Sequence, residues 1–395
     1  MMDLNMCSNK LFLAVALLSA TNTWALEAGE PVDFEAGNGY FYPSVGVQLS
    51  HDDNILLSNT NEKSSMITVI TPKFRWEADG EASQVGLTFE TEAAEYHSSN
   101  DDNYVDWRAL AEVAYFPTER VSYYGAAKFN HDHEARGSTA SSGSAKPDEY
   151  DLWELNGRLK YGLDEEGAPR FELEYTHSDR EYTNNRASTA SDDRKTDELT
   201  ATLFYKVAPL TSLLLEGSVT QLDYDIGTSD SDQTRLLVGV TWEATAATTG
   251  FAKVGRSEKE FDNTTGSNTN TDNASWEVGV TWAPLTYSTV NFSTNRDYSE
   301  SSGTGSHNDS TSTSVSWTHA WQSHFDTTLS FSRVNDDYVN STREDDVDTI
   351  QLNADYRMNH WLVFGAGYKH VERDSNTAGL DYEDNVVTLS AGINM

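Results

Sequence analysis

Residues 153–161 read Trp-Glu-Leu-Asn-Gly-Arg-Leu-Lys-Tyr, with apolar or small residues at every second position and polar residues between them. The segments 199–207 and 276–282 show the same alternation. A period of two is typical of a β-strand, because successive side chains point to opposite faces of a sheet. The pattern therefore predicts strands that have one apolar face and one polar face.

Segments of this kind recur from Tyr40 to Met395, and the connections between them are alternately short and long. The short ones contain turn formers such as Asp79-Gly80 and Ala208-Pro209, whereas the long ones are rich in Ser, Thr, Asn and Asp. A water-soluble antiparallel β-protein gives no reason for this segregation of lengths. Outer-membrane barrels do, since they have short periplasmic turns and longer outer loops.

The sequence thus predicts an all-β fold, a transmembrane antiparallel up-and-down β-barrel of about 18 strands with short periplasmic turns and long outer loops. Nine long loops interleaved with eight short turns give an even number of strands. The long loops are expected at 51–64, 98–103, 132–148, 180–195, 226–232, 260–272, 300–308, 335–344 and 373–383.

The N-terminus resembles a secretory signal peptide. Asn9-Lys10 precedes an apolar run at 11–20, which is too short to span a bilayer, and small residues lead to Ala25. No run after Ala25 is long enough for a membrane helix. The predicted organisation is a signal peptide at 1–25, a short periplasmic segment at 26–39 and an outer-membrane barrel at 40–395.

Aromatic residues gather near both ends of the predicted strands, which predicts two girdles among the lipid headgroups. The alternative, that aromatic residues simply favour strands, explains their number better than their placement. Those near the short turns are Trp76, Phe116, Tyr161, Tyr205, Trp242, Trp282, Trp321 and Trp361. Those near the long loops are Tyr96, Tyr104, Tyr150, Tyr182, Tyr224, Tyr298, Tyr338 and Tyr382.

The formal net charge is −36. Nucleic-acid binding is excluded, because it requires a basic surface. Many acidic residues lie in the long loops, where we expect them to be solvated or to bind divalent cations shared with lipopolysaccharide. They include Asp52-Asp53, Asp101-Asp102, Asp192-Asp193, Asp336-Asp337 and Glu344-Asp345-Asp346.

Further acidic residues fall on the predicted inner face, where rings of carboxylates would make a pore prefer cations. Inward arginine and lysine residues would offset part of this preference. The predicted pore-lining residues are Glu90, Glu92, Glu112, Lys128, Glu154, Arg158, Lys160, Glu172, Glu174, Glu216 and Glu277.

The third long loop is the longest, and in many porins the third outer loop narrows the lumen. By that analogy the constriction candidates are His131, Asp132, His133 and Glu134. Two histidines in a loop without a fixed further ligand do not predict a metal site. Asp52-Asp53-Asn54 lacks the spaced ligands and the central glycine of an EF-hand, so it is interpreted as a boundary between strand and loop.

The sequence contains few features that are typical of enzymes. The sequence contains no His-Glu-x-x-His, no Gly-x-Ser-x-Gly and no phosphate-binding glycine-rich loop. The only cysteine, Cys7, precedes the predicted cleavage site, so the mature chain has no disulfide and no cysteine metal site. We therefore expect no enzyme activity, no catalytic residues, no metal and no cofactor.

The opening strand and loop, Pro43 to Asn54, resemble the start of a family of β-barrel porins. In that family a glycine followed by a (Tyr/His)-Asp-Asp-Asn segment precedes a strand that contains a proline, here Pro72. A tyrosine before an Asn/Asp-rich loop then follows, here Tyr96. The resemblance covers most of the barrel and implies a role in exopolysaccharide or capsule production. Since glutamates would repel an acidic polysaccharide, export would need a neutral substrate, screening by divalent ions, or inward Arg and Lys arranged as a track.

The last strand also resembles the signal by which outer-membrane barrels are recognised for assembly, although it ends in Met395 where an aromatic residue is usual. The expected partners are outer-membrane lipid and lipopolysaccharide, the barrel-assembly machinery and polysaccharide export components, and a homotrimer stays open. The expected function is a porin-like channel in the outer membrane of a Gram-negative bacterium, for polysaccharide export or hydrophilic solutes. The alternatives are a general cation-preferring diffusion porin and a closed structural or adhesive barrel.

Overall fold

The computed structural model describes residues 34–36, 39–137, 144–227, 229–245, 247–264, 266, 268–301 and 304–394. The predicted signal peptide and nearly all of the segment at 26–39 lie outside these residues, so both stay predictions. Within the described part of the chain, no helix is both long enough and apolar enough to cross a membrane.

Strands make up most of the described chain, and almost all of them are 12 to 15 residues long. Their bounds are β1 Phe34–Ala36, β2 Gly39–Asp52, β3 Ser65–Asp79, β4 Ser83–Tyr96, β5 Tyr104–Thr118, β6 Val121–Glu134, β7 Asp148–Gly162, β8 Pro169–Tyr182, β9 Arg194–Ala208, β10 Thr211–Tyr224, β11 Ser231–Thr245, β12 Thr248–Phe261, β13 Thr271–Leu285, β14 Ser288–Ser299, β15 Asn308–Gln322, β16 Phe325–Tyr338, β17 Glu344–Arg357, β18 Leu362–Ser375 and β19 Tyr382–Asn394. The helical pieces are η1 Asn100–Asp102, α1 Arg186–Thr189 and η2 Ala190–Asp192.

The strands β2 to β19 form one closed antiparallel barrel of 18 strands. Each strand pairs with its neighbours in sequence, and the last strand, β19, pairs with the first, β2, from Val386↔Asp52 to Asn394↔Ser44. The short β1 pairs with the first residues of β2, below the stretch that β19 occupies. The predicted fold class and strand number are therefore confirmed.

The alternation of residues separates the two faces of the barrel. On β7, Trp153 and Leu155 are 56% and 52% exposed, whereas Glu154 between them is half-buried and registered beside Lys128 of β6. Side chains paired across antiparallel strands share one face of the sheet. The apolar residues thus form the outer, lipid-facing surface, and the polar residues line the lumen.

Long and short connections lie at opposite ends of the barrel, as the sequence predicts. Most of the loops are shorter than predicted: the third is 135–147 rather than 132–148, and the fourth is 183–193 rather than 180–195. Polar residues at these boundaries continue the strands because they still pair with the neighbouring strand, as Glu134 does with Asp148. His131, Asp132, His133 and Glu134 were therefore wrongly assigned to a loop, since they end strand β6.

Asn and Asp residues close several of the long loops. The Tyr182 N–H donates to Asp193 Oδ1 at 2.8 Å, and the Tyr224 N–H donates to Asp230 Oδ1 at 2.8 Å. In both loops the acceptor directly precedes the next strand. Short polar side chains of this kind stabilise turns by accepting backbone N–H groups. The same arrangement joins Phe261 to Asn270, Tyr96 to Asn103 and Ser375 to Asp381.

The aromatic girdle is present at the short-turn end, where Tyr161, Trp282 and Trp321 are at least half exposed on the outer face. The second predicted girdle is wrong for most of its members. Tyr182 and Tyr338 are 5% and 7% exposed, and the register places them on the inner face. They turn inward because their hydroxyl groups bind carboxylates there, and the same face holds Tyr96, Tyr104, Tyr150, Tyr224 and Tyr382.

Candidate functional site

The candidate functional site is the lumen, and the strand register places every predicted pore-lining residue on its wall. These residues have the same alternation as Glu154 and are linked to one another by cross-strand pairs. They are Glu90, Glu92, Glu112, Lys128, Glu154, Arg158, Lys160, Glu172, Glu174, Glu216 and Glu277. Their role in selectivity stays a prediction.

Most of the inward glutamates bind a cationic side chain of an adjacent strand. Arg158 donates to both oxygens of Glu174, at 2.8 and 3.0 Å, and these two residues are directly paired in the register of β7 and β8. Such bidentate contacts fix both charges in place. Lys73–Glu90 at 3.3 Å and Lys128–Glu154 at 3.6 Å also join adjacent strands, whereas Arg170 binds Glu172 at 3.1 Å within β8.

Two of the predicted glutamates accept a hydrogen bond from a tyrosine. The Tyr104 hydroxyl donates to Glu92 at 2.5 Å, and the Tyr124 hydroxyl donates to Glu112 at 2.9 Å. A phenol stabilises a carboxylate by a hydrogen bond but does not neutralise it. These two positions therefore contribute uncompensated negative charge to the lumen.

A buried ionic network lies between β10 and β14. Arg235 on β11 contacts Glu277 at 2.5 Å and Asp297 at 3.0 Å, and Lys253 on β12 contacts Glu277 at 2.5 Å and Glu216 at 3.0 Å. The side chain of Lys253 is only 6% exposed. Charges buried to this degree require partners on all sides.

The contacts of Arg235 show how the inner surface of the barrel curves in this region. Asp297 lies on β14, three strands away from β11, yet its carboxylate is within contact of Arg235. The inner faces of β11 to β14 must therefore curve strongly towards one another, so that their side chains form a cluster. The sequence gives no sign of this network, because its charges come from distant parts of the chain. Arg235 lies 42 residues from Glu277 and 62 residues from Asp297.

The inner faces of β14 to β17 are different, because hydroxyl and amide groups cover their central part. We call this surface the hydroxyl wall, and we call the inner faces of β3 to β13 the charged wall. Ser293 and Ser314 share a hydrogen bond at 2.7 Å, as do Thr318 and Thr328 at 3.0 Å. The hydroxyl wall comprises Asn291, Ser293, Asn295, Ser312, Ser314, Ser316, Thr318, Thr328, Ser330, Ser332, Thr349, Gln351 and Asn353.

At the long-loop end, inward tyrosines combine with arginines and carboxylates. The Arg180 guanidinium lies 3.9 Å from the ring centre of Tyr150 and 4.9 Å from that of Tyr182. Glu134 accepts from Arg180 and from the Tyr182 hydroxyl. Guanidinium groups stack favourably on aromatic faces, so these side chains hold the rim of the barrel together.

A second rim cluster joins the loop at 300–307 to the charged wall. Glu300 binds Lys259 at 2.6 Å and accepts from the Tyr224 hydroxyl at 2.7 Å. Burial alone would raise the pKa of Glu300, but the Lys259 ammonium and the Tyr224 hydroxyl lower it below its ordinary value. His307 is fully buried beside them, and burial together with Lys259 lowers its pKa to about 4.

The predicted constriction residues do not share one position. His131 is registered beside Trp107 and Asp151, and its Nδ1 lies 2.7 Å from an Asp151 oxygen. His133 Nδ1 lies 2.8 Å from Asp106, whereas Glu134 belongs to the rim contacts of Arg180. The middle of the following loop, 138–143, lies outside the described residues. A constriction by this loop therefore stays a prediction.

Several loop carboxylates are buried, contrary to the expectation that they are solvated. Asp102, Asp193 and Asp345 are 3 to 4% exposed. Each binds an arginine of its own or a neighbouring loop, and the partners are Arg136, Arg186 and Arg343 respectively. These acids therefore tie the loops together. Their exposed neighbour Asp101 fits the original expectation.

The arrangement as a whole suits a water-filled passage. Barrels of 16 to 18 strands are too wide for side chains to fill, so they leave an aqueous channel. Among the described residues, two groups of side chains also converge closely enough to hold a metal ion. They are Asp106 with Asp132 and His133, and Asp52 with Asp53 and Asp384.

Two solved structures share the fold at low sequence identity, and a third is similar to a lower degree. OpdK of Pseudomonas aeruginosa is 11% identical with a TM-score of 0.51, over 90% of this chain and 99% of that one. OccAB4 of Acinetobacter baumannii is 10% identical with a TM-score of 0.50, over 91% and 99%. The FrpB iron transporter of Neisseria meningitidis, F3-3 variant, is 10% identical with a TM-score of 0.46, and this chain spans 62% of its length.

No curated protein sequence matches the chain. A family model, described as "Putative beta-barrel porin 2", matches residues 27–394. That match covers nearly the whole chain and agrees with the closed barrel, its apolar outer band and its polar lumen. The protein is thus a porin-like barrel of the outer membrane of a Gram-negative bacterium, and it belongs to the family of β-barrel porins described by that model.

Proposed function

We propose that this barrel is an open pore for hydrophilic solutes, and that neutral, hydroxyl-rich molecules of the carbohydrate class pass most readily, including polysaccharide chains leaving the cell. The observation that carries the proposal is the hydroxyl wall. Its Ser, Thr and Asn side chains offer donors and acceptors to sugar hydroxyl groups without the strong field of a fixed charge.

The charged wall supports the same proposal. Its glutamates are largely offset by lysines and arginines within contact distance, such as Lys128 beside Glu154. A lumen with balanced charges neither repels nor retains an uncharged solute, and it lowers the barrier for a weakly acidic one. The objection that inward glutamates would repel a polysaccharide is thereby reduced.

The hydroxyl wall also favours passage over tight binding. In the described residues of β14 to β17, the inward positions between the two ends hold no aromatic ring on which a sugar could stack, and the inward Tyr338 lies at the rim. Hydrogen bonds to water-exposed hydroxyl groups exchange readily with those to water, so they contribute little net binding free energy. A solute can therefore move along the wall.

A second candidate function is a general cation-preferring diffusion porin. The observation that favours it is the pair Glu92 and Glu112, whose hydrogen-bond partners are tyrosines. Carboxylates without a cationic partner would attract cations into the lumen. The closed structural or adhesive barrel is the remaining alternative, and it differs from both pores in carrying no current.

The proposal is tested with the refolded protein in planar bilayers and in liposomes. We expect a steady single-channel conductance, a reversal potential near zero in a KCl gradient, and faster liposome swelling in neutral oligosaccharides than in sugar acids of equal size. Strong cation selectivity without sugar passage would support the diffusion porin instead. A folded barrel without any conductance would contradict both pore functions.

The expected partners follow from the location of the barrel and are also proposals. Lipid and lipopolysaccharide would surround the apolar band, and the barrel-assembly machinery would insert the chain. Polysaccharide export components would join it at the short-turn end, where the periplasm lies. Crosslinking in intact outer membranes would identify these neighbours and would show whether the barrel forms a homotrimer.

A further inference from the structure

Three carboxylates converge where the first and last strands of the barrel meet. Asp52 ends β2, Asp53 follows it, and Asp384 lies on β19, next but one to the residue that pairs with Asp52. One oxygen atom of each of these side chains lies within 4.8 Å of the others. We call this group the seam cluster.

Hydrogen bonds hold two of the three carboxylates in place. Asp53 accepts the Asn385 backbone N–H at 2.7 Å and the Asn385 side-chain amide at 2.9 Å. Asp52 accepts the Asn54 backbone N–H at 2.8 Å. These contacts tie β2 to β19 and prevent the carboxylates from moving apart, although their mutual repulsion favours separation.

Asp384 is the least satisfied member of the cluster. It is 3% exposed, and its Oδ1 is buried without any hydrogen-bond partner. Its Oδ2 is 3.9 Å from the Lys369 ammonium, which is too long for a hydrogen bond. A buried carboxylate oxygen that lacks a donor is costly, and the convergence of Asp384 with two other carboxylates points to a cationic ligand.

The charge of the cluster indicates the type of ligand. When all three carboxylates are ionised, the cluster and the one nearby ammonium carry two net negative charges, which a single divalent cation would neutralise. Oxygen ligands select hard cations, and Ca²⁺ accepts irregular oxygen cages more readily than Mg²⁺, which demands near-octahedral geometry. Carboxylates contributed by two strands and a loop form an irregular cage.

We propose that the seam cluster binds Ca²⁺ through Asp52, Asp53 and Asp384, and that the ion stabilises the closure of β19 on β2. Asp384 lies more than 330 residues from Asp52 and Asp53 in sequence. Asp52-Asp53-Asn54 alone therefore lacks the ligand spacing of an EF-hand, and β19 supplies the missing carboxylate. This inference concerns the stability of the barrel and does not depend on what passes through its lumen.

The test uses the refolded protein in detergent free of lipopolysaccharide, with binding of CaCl₂ followed by calorimetry. We expect one saturable site in the wild-type protein, weakened at least about ten-fold by Asp384→Asn, because a ligand and a charge are lost. Asp101→Asn is the matched control, since it removes one negative charge from an exposed loop position. It should leave the affinity unchanged.

A second variant guards against a change in folding. Lys369→Gln removes the ammonium that competes with the cation for Asp384, so it should tighten Ca²⁺ binding several-fold, which local damage would not do. Ca²⁺ should also raise the temperature at which the wild-type barrel unfolds in detergent. This increase should be absent in Asp384→Asn.

Three results would overturn the proposal. The first is wild-type protein that binds no Ca²⁺ in this assay. The second is an affinity that Asp384→Asn leaves unchanged, and in that case Asp132→Asn would show whether the Asp106–Asp132–His133 group binds the ion instead. The third is Lys369→Gln that weakens binding. None of these results bears on conductance, so the pore function is tested separately.

Discussion

The charged wall and the hydroxyl wall line the same lumen and belong to the same antiparallel sheet, yet their side chains differ in exposure to water. On the charged wall, Lys253 and Glu277 are 6% and 8% exposed within their network. On the hydroxyl wall, Asn291, Ser293 and Asn295 are exposed to the lumen. The outer faces of both are largely apolar, so the difference lies in the inward residues.

From this comparison we expect that many inward charges do not by themselves make a pore selective. Charges placed opposite one another in the register bind each other, as Arg158 and Glu174 do, and their long-range fields largely cancel. The charged wall therefore stabilises the barrel and shapes its cross-section. The hydroxyl wall, which contributes few strong contacts, remains available to a solute.

The largest difference between the two walls should appear in stability. Arg235→Ala would leave Glu277 and Asp297 without their common cation, and breaking a buried ion pair in this way costs about 3–5 kcal/mol. The free energy of unfolding, measured in urea by tryptophan fluorescence, should fall by that amount. Ser314→Ala on the hydroxyl wall should change it by less than about 1 kcal/mol.

Arg256→Ala provides the charge-matched control for this prediction. Arg256 binds Asp272 on the outer side of β12, and its side chain is 73% exposed. Exposed pairs contribute about 0–1 kcal/mol. If Arg235→Ala destabilises the barrel no more than Arg256→Ala does, the charged wall is not a stabilising network.

The next effect concerns pH at the junction of the two walls, where the loop at 300–307 packs on Lys259. Burial lowers the pKa of His307 from its ordinary value of 6.5 to about 4 in the folded protein. As the pH falls from about 6.5 to 4, the unfolded chain takes up a proton that the folded loop resists. Stability should therefore fall over this range, by at most about 3 kcal/mol, and the contribution should level off below it.

Unfolding curves at several pH values would measure this effect. His307→Gln should remove most of the pH dependence between 4 and 6.5, because the neutral amide cannot titrate. His360→Gln, at an exposed position in a short turn, should leave the dependence unchanged. An identical pH profile in wild type and His307→Gln would contradict the assignment.

The division between outer and inner residues could be predicted from the sequence, because a period of two fixes the face of each residue in a regular strand. Glu154, Arg158 and Lys160 lie on the inner face for this reason. The same period would also have placed Tyr182 inward, since it is an even number of positions from Glu172 and Glu174. Its location at the strand end suggested a girdle instead.

The partners of these residues could not be predicted, because they depend on how far the barrel curves. Arg235 and Asp297 meet only because β11 to β14 bend towards one another. Asp53 and Asn385 meet only because the barrel closes. Residues 131–134 show a further limit: their polarity is typical of a loop, but strand pairing continues beyond the lipid-facing band.

A smaller effect is expected on ion selectivity. Lys128→Gln leaves Glu154 without its ammonium, so the ratio of cation to anion permeability should rise by roughly two-fold. Ser314→Lys adds a positive charge to the hydroxyl wall. It should therefore lower the ratio of cation to anion permeability, and by a larger factor. The reversal potential in a KCl gradient measures both, and low salt should enlarge the shifts because screening is weaker.

The double variant Lys128→Gln/Glu154→Gln tests whether ion selectivity depends on the balance of the charges or on their number. It removes one charge of each sign, so its reversal potential should return close to the wild-type value. A double variant that is as cation-selective as Lys128→Gln alone would mean that Glu154 is not offset by Lys128. The two walls would then differ in their side chains, but the electric field in the lumen would not distinguish them.

The smallest effect should come from the hydroxyl wall itself. Ser314→Ala removes a hydroxyl group that bonds to Ser293, and water replaces most of what is lost, so the passage of a neutral oligosaccharide should slow by less than about two-fold. The KCl conductance and the reversal potential should not change, since no charge is altered. Liposome swelling in neutral sugars, compared with single-channel current, separates the two readouts.

Val315→Ala on the outer face is the control for a change in the fold, and Ser314→Thr should restore the wild-type rate because it keeps the hydroxyl group. If Ser314→Ala lowered sugar passage and ion current equally, the residue would act through pore width, and the hydroxyl wall would be no more than a neutral lining.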